Sequence, residues 1–282
     1  MIKKSAVIVI NTYKEEAQII ANDVKRFLEK ESWTVDFLEF SGPCSKSNFE
    51  GYKLAITLGG DGTVLFAARG CFEKKIPIFP INLGDFGFIA GIQKESWQER
   101  LDLFLQKKLP LTERSMLNVA ALRNGNKIFE SYAVNDVVVS ADRATKIVSL
   151  GITFNGNSFG KFKSDGIIVA TATGSTAYSA AAGGPIVDPE LDAFVLSPIC
   201  PFSLSNRPIV LPSSGVLCVD VLPSRDTGVS ITADGQVLEH LETGDTVFLQ
   251  KAKEKVLLAD CGSSVFYSAL RSKLHWSGGP SA

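Results

Sequence analysis

The apolar residues of this chain obey one spacing up to about residue 108 and another from about residue 111, and that change constrains the fold most. In the first stretch, short runs at 6–10 and 76–81 are apolar throughout, 54–58 is apolar but for Thr57, and 34–40 is a further strand candidate. Between the first two strands, Ala17, Ile20, Val24, Phe27 and Leu28 recur at helical spacing. Strands without alternation must be covered on both faces, so this half predicts a doubly wound, mostly parallel α/β sheet. A helix is predicted from Ser96. There Ser96 and Glu99 have the spacing of a capping box, and Trp97, Leu101 and Phe104 form an apolar stripe.

Beyond residue 111 the period is two. The stretches 119–123, 127–140, 146–162, 216–222, 229–241, 245–252 and 255–261 read as strands, interrupted by a helix-like segment near 176–183. Asn155-Gly156 is a two-residue hairpin signal. This half predicts a β-sandwich, and a last helical pattern covers 265–274. The expected domains are residues 1–110, α/β, and 111–258, β-sandwich. A length of 282 residues agrees with two domains rather than one.

A hydrophobic share of 45% is enough for a large core. The formal net charge of −1, with no basic stripe, argues against a nucleic-acid or anionic-membrane partner. The apolar run at 6–10 is too short for a signal peptide, and no run approaches the ~18 residues of a membrane span. The five cysteines are scattered without a C-x-x-C pair, so neither a disulfide frame nor a zinc site is expected. A cytoplasmic protein is the expectation.

Two segments carry chemistry. The first is "TLGGDGTV", residues 57–64, at the end of an apolar strand and the start of a helix. Gly59, Gly60 and Gly62 let a phosphate approach bare main chain, and a helix amino terminus favours an anion. A tight turn with Asp61 near a helix cap is the plain structural alternative. The pattern is neither G-x-G-x-x-G, because Leu65 stands where the third glycine belongs, nor a P-loop. The second segment is 164–187, where Thr171, Thr173, Ser175 and Thr176 crowd a strand-to-helix junction otherwise built of alanine and glycine. Such a wall suits a flat polar ligand, with Tyr178 as a stacking face. Close packing of small residues is its alternative.

Together these segments resemble the NAD kinase family. The family's motifs occur in order: Gly-Gly-Asp-Gly at 59–62, "NLGDFGF" at 82–88, "VND" at 134–136 and "DGIIVATATGSTAYSAAAGGPIV" from Asp165. "LSPICPFSLSNRPIVL" at 196–211 and "DGQ" at 234–236 follow, so the likeness spans about residues 54–240. The glycine turn is shared with lipid kinases, whereas the block 173–179 is far more specific.

The resemblance implies ATP-dependent phosphorylation of the 2′-hydroxyl of NAD's adenosine ribose to give NADP, with polyphosphate as another possible donor. It implies a divalent cation, usually Mg2+, and a homodimer or homotetramer. It also implies that the carboxy-terminal segment, 259–282, returns to the first domain. Matching motif positions makes Asp61 the catalytic residue facing the ribose hydroxyl and gives Gly59, Gly60 and Gly62 the phosphates, with Gly62 also near NAD. Phe88 would line the adenine pocket, and Asn135 and Asp136 would hold the adenosine. Asp165, Ala177 and Tyr178 would contact NAD, partly from a neighbouring subunit. Thr173 and Thr176 would hydrogen-bond the adenosine end, and Gln236 completes the NAD-binding set. No metal ligands are assigned.

The chain departs from the family pattern in three places. Asp136 replaces the usual Glu, Ala172 replaces a proline, and Asp85-Phe86 stands where a cation and leucine are usual. A lipid or sphingoid kinase sharing the glycine turn, and an NAD-binding sensor without catalysis, are the rival readings.

Overall fold

The computed structural model describes residues 4–42, 48–84, 87–143, 146–203, 205–224 and 227–276. The chain divides into two compact units, Met1–Arg114 with Glu254–Ala282, and Ser115–Lys253.

The first unit begins with β1 (Ser5–Asn11), α1 (Ala17–Lys30), β2 (Thr34–Phe40), β3 (Leu54–Gly59) and α2 (Asp61–Cys71). It continues through β4 (Ile78–Asn82), β5 (Ile92–Gln93), α3 (Trp97–Leu105) and β6 (Leu111–Arg114). Strands β1 to β4 pair in parallel. Ala6, Ile8 and Ile10 pack with Ala17, Ala21, Val24 and Leu28 of α1 and Leu101 of α3. Val7 and Val9 point the other way and are equally buried, which is why β1 shows no alternation. Phe66 of α2 meets Phe40 at 5.0 Å between ring centroids, and Phe40 has opposite parity on β2 to Val35. Helices therefore cover both faces, as expected of a doubly wound sheet. The Ser96–Glu99 capping box does not form. Ser96 Oγ donates instead to the Gln93 carbonyl at 3.2 Å, so the hydroxyl is spent on the turn before α3.

The second unit holds β7 (Leu117–Arg123), β8 (Asn126–Ala133), β9 (Asp136–Ala141), β10 (Val148–Phe154), β11 (Asn157–Ser164) and β12 (Gly166–Thr171). A 3-10 turn, Thr173–Thr176, and a single helical turn, α4 (Tyr178–Ala181), follow. Then come β13 (Ala193–Ile199), β14 (Ile209–Pro212), β15 (Leu217–Leu222), β16 (Val229–Ala233), β17 (Val237–Leu241) and β18 (Thr246–Lys251). Two six-stranded antiparallel sheets run β11-β10-β15-β18-β7-β8 and β14-β13-β12-β9-β16-β17. Their inner faces share one core, with Val119, Leu150, Val219 and Val247 from one sheet and Val139, Ile167, Leu196 and Ile231 from the other. This is the sandwich the period of two predicts.

Residues 127–140 are not one strand. The chain leaves one sheet after Ala133 and enters the other at Asp136. The Asn155-Gly156 hairpin forms between β10 and β11, with φ of 48° and 78°. After the second unit the chain adds β19 (Val256–Ala259) and α5 (Ser263–Leu274) to the first. Strand β19 lies between β4, parallel, and β6, antiparallel, giving the order β2-β1-β3-β4-β19-β6 with β5 also on β4.

Candidate functional site

In the first unit the critical residues sit at the carboxyl ends of β3 and β4. Gly60, at φ −109° and ψ −166°, precedes α2, and Asp61 is the first helical residue. The Asp61 carboxylate accepts the N–H groups of Phe88 (3.0 Å), Ile89 (3.3 Å) and Ala90 (3.0 Å). The loop after β4 thus wraps the acid and fixes its orientation. Gly87 is required by this arrangement, since a β-carbon there would strike the Asp61 carboxylate. A β-carbon on Gly59 would strike the Thr63 hydroxyl, whereas one on Gly60 would meet nothing within 4 Å. Gly62 is exposed one residue into α2. Gly60 combines bare main chain with open space. Gly59 answers to packing.

Phe88 stacks on Phe266 of α5 at 6.0 Å between centroids, tilted by 53°. Its carbonyl receives the thiol of Cys261 at 3.9 Å, and Arg114 donates to the Cys261 carbonyl at 2.5 Å. The departures at Asp85 and Phe86 lie outside the described residues.

In the second unit a pocket of about 370 Å³ is lined by Asn135, Asp136, Val138, Ser140, Ala177, Tyr178, Thr232, Asp234 and Gly235. Its centre is the break between β8 and β9. Asp234, at φ 51° in the β16–β17 turn, accepts the N–H groups of Val134 (3.1 Å), Asn135 (2.8 Å) and Asp136 (3.3 Å). The opposite side of the break is held by Thr171, whose N–H donates to the Asn135 carbonyl at 2.9 Å and whose hydroxyl donates to the Val134 carbonyl at 2.5 Å. Gly174 has no room for a β-carbon, which would strike the Asn135 carbonyl.

Asp136 is 5% exposed. Burial first, and then the charge of Asp234, pushes its carboxyl up to about 7, against the stabilising Tyr178 N–H. The neighbouring Asp234 carboxylate accepts three main-chain N–H groups.

The pocket brings together four of the residues singled out by sequence: Asn135, Asp136, Ala177 and Tyr178. Thr173, Thr176 and Gln236 are not among its lining residues, and Thr176 Oγ1 donates to the Thr173 carbonyl at 3.3 Å. Asp165 precedes β12 whereas the threonine turn follows it, so the whole strand separates them within one chain. Part of the hydroxyl cluster is structural. Ser175 bonds to the main chain of Ala172 and Val187, and Ser179 to Ser197. Sequence reasoning did not select Val138, Ser140 or Thr232. The signal was present: period two from Asp136 points Val138 and Ser140 to the same face, and Thr232 pairs with Val138.

A two-unit architecture of doubly wound α/β sheet and β-sandwich, with a Gly-Gly-Asp-Gly turn in the first and a polar pocket in the second, defines a nucleotide-handling class of protein. Family models of the ATP-NAD kinase N-terminal domain and the ATP-NAD kinase C-terminal domain match residues 42–109 and 134–261. The NAD kinase of Treponema denticola is 46% identical over 279 residues, 99% of this chain and 98% of that one. The NAD kinase of Koribacter versatilis is 39% identical over 224 residues, covering 79% of this chain and 78% of that one. Among solved structures, yeast NADH kinase complexed with NADH superposes with a TM-score of 0.85 at 20% identity, over 97% of this chain and 88% of that one. An NAD kinase from Archaeoglobus fulgidus in complex with ATP gives 0.76 at 23% identity, over 94% and 96%. The chain belongs to the NAD kinase family.

Proposed function

We infer that this chain is a phosphotransferase that moves the terminal phosphoryl group of ATP to the 2′-hydroxyl of NAD's adenosine ribose, forming NADP. The observation that carries the reading is the near-full-length identity of 46% with an NAD kinase.

The chemistry of the residues agrees with it. Phosphoryl transfer passes through a loose transition state, so its catalyst chiefly positions the reactants and neutralises charge. Asp61 is held by three N–H donors and its orientation is set before substrate arrives. Its role is to align the acceptor hydroxyl and receive the proton late in transfer. Gly60 offers the phosphates open main chain. Asn135, Asp136 and Tyr178 form the nucleoside-binding set, with Phe88, Thr173, Thr176, Ala177 and Gln236 as further contacts and Asp165 contributing from a neighbouring subunit.

Among the described residues no three of His, Cys, Asp and Glu converge as a metal cluster. The Asp61 carboxylate at the glycine turn is a hard oxygen donor of the kind Mg2+ takes, and Asp61 would be the residue that holds the ion. There the ion would supply charge neutralisation.

No helix among the described residues is long and apolar enough to cross a membrane. We take the protein to act in the cytoplasm as a homodimer or homotetramer, which sedimentation of the purified chain measures. The deciding assay incubates the protein with NAD, ATP and Mg2+ and scores product with an NADP-specific dehydrogenase. NADP is expected, and no transfer to diacylglycerol. NAD bound without any NADP formed would overturn the reading in favour of a sensor.

A further inference from the structure

Strands β1, β3 and β4 are neighbours whose ends are aligned: Ile10 pairs with Leu58, and Gly59 with Asn82. The loops leaving them start side by side, about 4.8 Å apart, at the carboxyl edge where open α/β sheets bind ligands. Two bonds tie these loops together. Leu83 N–H donates to the Gly59 carbonyl at 2.9 Å, and Asn11 Nδ2 donates to Thr63 Oγ1 at 3.3 Å.

A cation of the described residues stands over this edge. Lys14, exposed in the loop between β1 and α1, brings its ammonium to 3.4 Å from the position a β-carbon on Gly84 would occupy. Three other basic groups of the same unit are paired with acids: Lys94 with Glu16 at 2.7 Å, Lys75 with Glu254 at 3.0 Å and Arg100 with Asp260 at 3.5 Å. Lys14 has no carboxylate partner among the described residues. Its ammonium shares the edge with Gly60, whose α-carbon faces open space. An ammonium without a carboxylate partner among the described residues, beside bare main chain, is the chemistry that receives a phosphate chain.

We propose that Lys14 binds the phosphate chain of the phosphoryl donor, as its charged contact from the β1–α1 loop. The proposal rests on the phosphotransfer reading above. Its subject is a polyanionic phosphate chain, carried either by a nucleoside triphosphate or by inorganic polyphosphate.

The test compares wild type, Lys14→Ala and Lys14→Arg in NADP formation, with ATP and polyphosphate as separate donor arms. Lys14→Ala is expected to raise the KM for each donor the wild type accepts by about tenfold. The KM for NAD should stay within about twofold, and Lys14→Arg should recover most of the loss because the charge is kept. A rise with ATP alone assigns the contact to nucleotide-borne phosphate, and a rise with both assigns it to the chain as such. Donor KM unchanged in Lys14→Ala, or a rise in the KM for NAD in step with it, overturns the proposal. A wild type that forms no NADP with either donor overturns the underlying reading instead.

Discussion

Asp61 and Asp136 are both acids at the start of an element, and their surroundings give them opposite duties. Asp61 opens α2 and accepts three N–H groups, so its direction is fixed. Asp61→Asn keeps the shape but puts an amide against donors that need an acceptor. We expect turnover to fall by about 10²-fold or more with NAD still bound, checked by steady-state rates beside equilibrium NAD binding. Asp136 is instead buried beside a second acid. Its carboxyl ionises near 3.8 in the unfolded chain and only at about 7 in the folded one. Between those values the folded chain holds a proton that the unfolded chain has released, so this group's contribution to stability falls as pH rises. Urea unfolding of wild type and Asp136→Asn at several pH values between about 4 and 7 should show a shallower fall in the variant. That Asp136 would matter was legible from the "VND" motif. Its shifted ionisation was not, because it comes first from burial in the folded unit and then from Asp234, about a hundred residues along the chain.

At the scale of elements, the break between β8 and β9 is the feature that linear reading misses. Residues 127–140 alternate apolar and polar types well enough to pass for one strand. What divides them is the Asp234 carboxylate, which takes the N–H groups of Val134, Asn135 and Asp136 away from any ladder. Asp234→Ala would leave three donors without their acceptor. A loss of at least about 2 kcal/mol is expected in urea unfolding, with weakened NAD binding, and Asp234→Asn should lose less. The β10–β11 hairpin is the opposite case. Asn155 and Gly156 take positive φ as their types predict, and Gly156→Ala should cost about 1 kcal/mol without altering activity. A turn's signal is contained in its own residues, whereas a strand break made by a distant side chain leaves no local trace.

For the whole molecule, the order of the first sheet carries the consequence. Strand β19 lies between β4 and β6 although more than 130 residues separate it from either in sequence. A chain stopped after Lys253 would leave both neighbours with unpaired edges and remove α5, whose Phe266 packs on Phe88. Such a chain is expected to lose the cooperative unfolding transition of the first unit, followed by circular dichroism with heating. The class of each half needed no such knowledge. Apolar runs without alternation demand cover on both faces, and alternating runs demand it on one, so covalent order alone determined an α/β sheet and a sandwich. The glycine turn and the threonine block were equally plain, since they are contiguous. Only the tertiary structure decided which hydroxyls are spent on main chain, that Gly59 serves packing while Gly60 stays open, and that Asp234 and Thr171 shape the pocket from either side. Those outcomes depend on distances between residues far apart in the chain, and such distances exist only once the sheets have paired.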